Sequence, residues 1–280
     1  MTEQTPTGEI AGLTPLDAAH AAVDADPGNE AALLRFYDRL ADGELYLLLE
    51  REAAGDKLDP KVFELESGPV VLVFDQEERL SDFTGGIAPW AALPGRVIAG
   101  LLRGQGIGLG VNLGIAPSAM LLPPEAMDWL SEALEPEPEA ALGRPARFFA
   151  PAVPDSLGLA LQDKFASARG LASSALLSGV EYEDGRRGHM LVFTDAKPEA
   201  EAALARAVQE ALVFSGLDAA ALDVAFLASG DRALAPLAAT ALRFALPEAT
   251  PAPAPQALTE EKRSPTGPGL DPEKPPKLRW

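Results

Sequence analysis

The chain has 280 residues, 47% of them hydrophobic, with 42 acidic against 23 basic side chains and no cysteine. Its net charge of −19 disfavours nucleic acid, whose phosphates are bound by clustered Lys and Arg, and disfavours anionic membrane surfaces. Absence of cysteine removes disulfides, thiolate nucleophiles and sulfur-ligated zinc, and the length fits two domains of ordinary size.

Residues 1–13 read as a flexible N-terminus, acidic and polar, with neither a basic segment nor an apolar run of the secretory kind. The uncharged stretch Gly104–Pro124 is broken by four alternating glycines, Asn112 and Pro117, which suits no membrane-spanning helix. The expected location is cytoplasmic.

Thr14-Pro15-Leu16-Asp17 has the form of a capped helix start, with Pro at the first helical position and Asp17 placed to complete a capping box. Leu16, Ala19, His20 and Val23 recur at helical spacing behind it. Asp26–Asn29 makes a turn and a new cap for a helix over Glu30–Leu40. Extended runs follow at Leu45–Leu49, Val62–Leu65 and Val70–Phe74, with Gly68-Pro69 as the turn between the last two. Short helices are expected at Gln76–Leu80 and Gly95–Arg103. Ile107–Val111 reads as a strand with glycine on one face, where another group can approach closely. Leu121-Leu122 is a last short strand before the helix Glu125–Leu134.

Residues 135–146, opening on Glu135-Pro136-Glu137-Pro138-Glu139, read as a stiff, self-repelling linker, so the first domain is placed at 14–134. Of the charge, residues 1–143 hold 25 acidic and 8 basic side chains, against 12 and 10 in 144–247; the acidity belongs to the first module. The second, 147–246, reads as strand Arg147–Ala150, helix Ser156–Ala168, strands Ser173–Tyr182 and His189–Thr194, helix Pro198–Phe214 and strand Leu222–Leu227. That β-α-β-β-α-β order matches the split βαβ, ferredoxin-like arrangement, with Thr240–Leu246 as an extra strand. Residues 247–280, rich in Pro, Ala and Thr, lack apolar periodicity and are expected to be disordered. The fold class is α+β: two α+β modules and a Pro-rich tail.

Chemistry-bearing patterns are few. Gly104–Gly110 fails the dinucleotide fingerprint at its sixth position in every frame and follows a helix rather than a strand. No Walker triplet and no Gly-x-Ser-x-Gly elbow is present. His20 and His189 fall in different modules without metal-ligand spacing. The acidic groups around Asp75, Glu137 and Glu181 sit in turns and the linker, as solvated surface. These patterns point to no catalytic residue, cofactor or metal. Phe83–Pro124 stands apart because it lacks Asp and Glu inside the acidic module while carrying Trp90, Arg96, Arg103 and Asn112. Depleted charge with Trp and Arg marks interface cores, although a core hairpin with its covering helix accounts for the same composition. Trp280, in the basic-apolar tip Lys277–Trp280, is a second candidate docking residue.

Phe36-Tyr37-Asp38-Arg39-Leu40, Glu44–Leu48, Val70–Phe74 with the acidic turn to Arg79-Leu80, Gly106–Asn112 and Leu121–Leu130 together resemble the N-terminal domain of the SseB family. Residues 147–246 are more weakly similar to the C-terminal domain that accompanies it. Here Asn112 precedes Leu113 where the family often has Asn-Pro. SseB proteins are named for enhanced serine sensitivity. The resemblance implies no catalytic residues and no cofactor, and a binding or regulatory role connected with amino-acid metabolism, acting on a protein partner or small molecule. An enzyme of another class, an accessory subunit of one, and a homo-oligomer are the alternatives.

Overall fold

The computed structural model describes residues 13–53, 55, 57–135, 143–216 and 222–248, which belong to one compact unit of mixed α and β structure. Residues 1–12, most of the expected linker, and the expected tail from residue 249 onward, including Trp280, lie outside the described residues.

The first half opens with α1 (Pro15–Ala25), whose capping box forms between Thr14 and Asp17, and α2 (Glu30–Asp42), capped by Asn29. Then come β1 (Glu44–Leu48), β2 (Val62–Leu65), β3 (Gly68–Phe74), α3 (Glu77–Thr84), β4 (Trp90–Pro94), α4 (Gly95–Leu102), β5 (Gly108–Val111), β6 (Met120–Leu122) and α5 (Pro124–Leu134). The sheet order is β4-β1-β3-β5-β6, with β2 on the same edge of β3 as β1. Only β3 and β5 are parallel. Two details depart from the sequence reading. Gly68 and Pro69 begin β3 rather than forming the hairpin turn, since Leu65 pairs with Gly68. Trp90–Pro94 is a strand that its two flanking prolines had disguised as loop.

Strand alternation sorts this sheet into two unequal faces. Leu45, Leu47, Val71, Val73, Leu109 and Val111 point to a core closed by α1, α2, α4 and α5 through Leu16, Phe36, Leu40, Ile98, Leu102, Met127 and Leu130. Leu48, Val70, Leu72 and Phe74 point the other way, where their buried helical neighbour is Leu80 of α3. The glycines of β5 serve packing. A Cβ on Gly108 would come within 2.6 Å of the Leu122 carbonyl oxygen, and one on Gly110 within 2.6 Å of the Leu72 side chain.

The second half comprises β7 (Pro145–Phe149), α6 (Asp155–Ser167), β8 (Ser174–Tyr182), β9 (Arg187–Thr194), α7 (Glu201–Val213), β10 (Leu222–Leu227), α8 (Leu234–Ala238) and β11 (Leu242–Ala245). The β-α-β-β-α-β order is as expected, but the pairing corrects the ferredoxin-like assignment. A split arrangement would seat the first strand between the third and fourth; here β9 and β10 pair directly and in parallel, and β7 pairs with β8. The long β8 explains this. Its far edge has room for β7 opposite Gly179–Tyr182 and β11 opposite Ser174–Leu177, so the first strand has no need to intercalate. Leu157, Leu161 and Phe165 of α6 and Leu204 and Val208 of α7 cover one face, and Leu234 and Leu237 of α8 cover the other. Among the described residues no helix is long and apolar enough to cross a membrane.

Packing between α4 and α2 is close at one point. The Gly95 amide donates to the Gly43 carbonyl at 3.0 Å, and a Cβ on Gly95 would lie 1.8 Å from the Leu40 carbonyl oxygen. Gly95→Ala is therefore expected to cost about 2–3 kcal/mol through forced backbone displacement. Gly100→Ala, in the same helix with nothing within 4 Å of its Cβ, should gain about 0.5–1 kcal/mol from helix propensity. Urea midpoints of the two variants check this contrast.

Candidate functional site

Three places gather polar or exposed groups in ways that sequence spacing alone does not display. The first lies at the carboxyl ends of the parallel strands β3 and β5, where open α/β sheets commonly bind ligands. Asp75 and Asn112 follow those strands directly. Asn112 is wholly buried with φ of 48°, a conformation Asn tolerates because its short side chain bonds locally. Its Oδ1 accepts from the Asp75 amide at 3.1 Å and its Nδ2 donates to Ser118 Oγ at 2.8 Å. Ser118 donates in turn to Asp17 Oδ1 at 2.5 Å.

Arg79 donates to both oxygens of Asp17, at 3.1 and 2.5 Å, and to Asp75 at 2.7 Å. Thr14 Oγ1 donates to Asp75 at 2.6 Å while accepting from the Asp17 amide. Burial alone would push the Asp17 carboxyl up, but Arg79, Ser118 and Thr14 outweigh it and hold Asp17 well below the usual carboxylate range. The crevice is thus filled from within. The chain's own carboxylate occupies the guanidinium that an anionic ligand would use. Asp75, expected in a solvated turn, is an interior member of this network.

The second place is the seam between the two halves. Lys164 of α6, only 4% exposed, lies 2.7 Å from Asp38, 2.7 Å from Asp42 and 2.9 Å from Glu210. Arg96 of α4 binds Glu210 through both guanidinium nitrogens, at 2.8 and 3.0 Å, and also pairs with Asp42. Asp163 receives Arg39, and Arg35 at 2.8 Å. Desolvation would depress the Lys164 ammonium, but Asp38, Asp42 and Glu210 outweigh it and raise it above an ordinary lysine. Glu210 is held below the carboxylate range because Arg96 and Lys164 overcome its burial. Asp38 goes the other way, since its burial exceeds the pull of Lys164. Its Oδ1 faces Nζ off the direction a hydrogen bond requires. Beside it, a cavity of about 210 Å³ opens between α1, α2 and α6, lined by Asp38, Arg35, Ser156, Leu159 and Phe214.

The third place is the thinly covered face of the first sheet. Trp90 of the edge strand β4, 37% exposed, sets its ring edge-on to Tyr46 of β1 at 5.0 Å. Ile87, in the loop before β4, is wholly exposed. Burial pushes the Tyr46 hydroxyl up, and Glu44, Glu77 and Glu78 near it act in the same direction.

The residues singled out by sequence thus do not share one surface. Trp90 is on the open face, Asn112 is in the buried network, and Trp280 lies outside the described residues. Arg96 and Arg103, both at α4, line a shallow hollow with Arg206 and Glu135, where Arg103 pairs with Glu135 at 3.1 Å and Glu132 at 3.6 Å. Lys164, Asp38 and Glu210 escaped sequence reasoning altogether. For Lys164 one local signal was available, a charged helix position with apolar Ala160 and Leu161 on the preceding turn. Asp38 and Glu210 have charged neighbours at helical spacing and gave none. His20 stacks edge-on to Phe36 at 5.8 Å, and His189 Nε2 accepts from the Ala152 amide at 3.3 Å. Among the described residues no group of three or more His, Asp or Glu is placed to hold a metal ion.

Residues 16–129 match the SseB protein N-terminal domain. No curated protein and no solved structure matches the chain. The domain match covers the first half of the described structure, from α1 to α5.

The seam makes a pH-dependent prediction. At neutral pH Glu210→Gln should cost about 3–5 kcal/mol, because it leaves Lys164 and Arg96 short of a buried carboxylate. A depressed folded-state value means that Glu210 contributes stability above its ordinary 4.5, and that this contribution fades as pH falls through the lowered value. The gap between wild type and variant should therefore close under acid. Asp38→Asn, removing the carboxylate whose burial is least compensated, should cost much less. Urea unfolding of the three proteins from pH 3 to pH 8 reads both effects.

Proposed function

We propose that this chain is a cytoplasmic binding or regulatory protein of the SseB family, without chemistry of its own. It docks a protein partner on the open face of its first sheet, and it is connected with amino-acid metabolism, as the serine phenotype behind the family name implies. The observation that carries this reading is an asymmetry. The ionisable groups buried in the interior are spent on one another in the network around Arg79 and in the seam around Lys164. Meanwhile Trp90 stays partly exposed edge-on to Tyr46, on the face whose helical cover is the short α3, and Ile87 in the loop before β4 is wholly exposed. Exposed aromatic clusters rimmed by polar groups are characteristic of interaction sites. Arg96 and Asn112 support this surface from behind by locking α4 and the ends of β3 and β5.

A second reading rests on the cavity at the seam. Asp38 lines it with a carboxyl raised by burial, which is the kind of group that binds or transfers a proton on a small molecule. This would make the chain a small-molecule sensor, or an enzyme or accessory subunit of one.

Native capture from the source organism's extract separates the readings, with mass spectrometry of bound proteins and metabolites. A stoichiometric protein retained by wild type and by Asp38→Asn, but reduced at least about tenfold by Trp90→Ala, is the expected result. A metabolite lost with Asp38→Asn and indifferent to Trp90→Ala would favour the second reading instead.

A further inference from the structure

The free edge of β4 names the kind of partner, on the premise that the open face is where docking occurs. β4 ends the sheet order and pairs only with β1 among the described residues. The amide of Gly95 bonds the Gly43 carbonyl at 3.0 Å, and the amide of Leu49 bonds the Pro89 carbonyl at 2.9 Å. Those two contacts fix the phase of the ladder between them. In an antiparallel pair, bonded and non-bonded residues alternate, so the backbone groups of Ala91 and Leu93 turn toward β1 and those of Trp90 and Ala92 turn outward. Two amides and two carbonyls therefore lie along an unpaired edge.

Natural sheets protect such edges with lysines, other charges, prolines or bulges. Between Pro89 and Pro94 this edge carries only Trp90, Ala91, Ala92 and Leu93, without a charge, while the prolines limit its length and not its access. The charges stand around it instead. Glu44 follows on β1, and Glu77 and Glu78 open α3; all three are exposed and act on Tyr46, whose ring meets Trp90. The module that carries them has 25 acidic against 8 basic side chains over residues 1–143.

We infer that β4 is a strand-addition site for an extended, basic segment of another protein, which continues the first sheet through Trp90 and Ala92 and sets its cations against Glu44, Glu77 and Glu78. Main-chain hydrogen bonds supply the register and alternate side chains supply selectivity. The Trp90 face adds a cation–π contact for a lysine or arginine lying over it. A second copy of this chain is a poor occupant, because pairing two β4 edges would bring two acidic rims together.

The test uses the full chain labelled with 15N and three blocked seven-residue peptides: alternating Lys-Val, alternating Glu-Val, and Lys-Val with every second amide N-methylated. The Lys-Val peptide should shift the Trp90 and Ala92 amide resonances, slow their hydrogen exchange, and bind at least about tenfold more weakly when salt rises from 50 to 500 mM. The Glu-Val and N-methylated peptides should bind at least about tenfold more weakly, as should Lys-Val to the Glu77→Lys/Glu78→Lys protein. Equal binding of the N-methylated peptide would overturn strand addition, and equal binding of Glu-Val would overturn the basic partner. Concentration-dependent protection of the two amides without any peptide would make a second copy the occupant and overturn the proposal. If no peptide binds while Trp90→Ala still abolishes capture of a native partner, the docking face stands and the inference about its partner fails alone.

Discussion

A lysine ammonium taken almost completely out of water is the constraint on which the arrangement of the two halves depends. Burying such a charge costs several kcal/mol unless it is closely paired. The pairing for Lys164 comes from Asp38 and Asp42 of α2 in the first half and from Glu210 of α7 in its own. Separating the halves would leave Lys164 with one carboxylate and Arg96 with one, so α2, α4, α6 and α7 are held as a group. Apolar packing follows the same line. Phe214, just past α7, enters the core of the first half, with its ring edge-on to Trp129 at 6.2 Å, and Trp129 packs against Tyr37 at 5.1 Å. The described residues accordingly belong to one unit carrying two sheets, with Lys164 and Glu210 buried in the seam.

Filling the interior with paired charges also determines what remains for function. At the carboxyl ends of β3 and β5 the fold has the geometry that other α/β sheets use for ligands, yet Asp17 reaches in from the start of α1 and takes Arg79 for itself. Each polar group there satisfies another, which makes the place rigid and chemically quiet. The sheet's second face was left to the short α3, and the strand at its margin was left neutral. The first module is thus strongly acidic overall, while β4 and the loop before it carry no charge.

Much of the fold was legible because its signals are local. The capping box of Thr14 and Asp17, the apolar run Val70–Phe74 and the helix expected over Ser156–Ala168 each rest on residues a few positions apart, and each formed close to where it was expected. Reading failed where the deciding partner was distant. Trp90–Pro94 is a strand because β1 lies beside it, against the local preference of two prolines. The first strand of the second half sits at the edge because β8 is long enough to hold β7 and β11 end to end.

The candidate residues divide in the same way. Composition alone marked Phe83–Pro124 as a charge-poor segment in an acidic module, and with it Trp90, Arg96, Arg103 and Asn112. It could not distribute them among an open face, a seam and a buried turn, because Arg96 meets Glu210 across 114 positions and Lys164 meets Asp42 across 122. What the sequence by itself determined was the class of fold, the order of most of its elements and the sign of its net charge, all properties of residue type and short-range period. Only the tertiary structure decided which charges are spent and which edge is free. An ion pair depends on distance and burial, and both arise only when segments far apart in the chain come together.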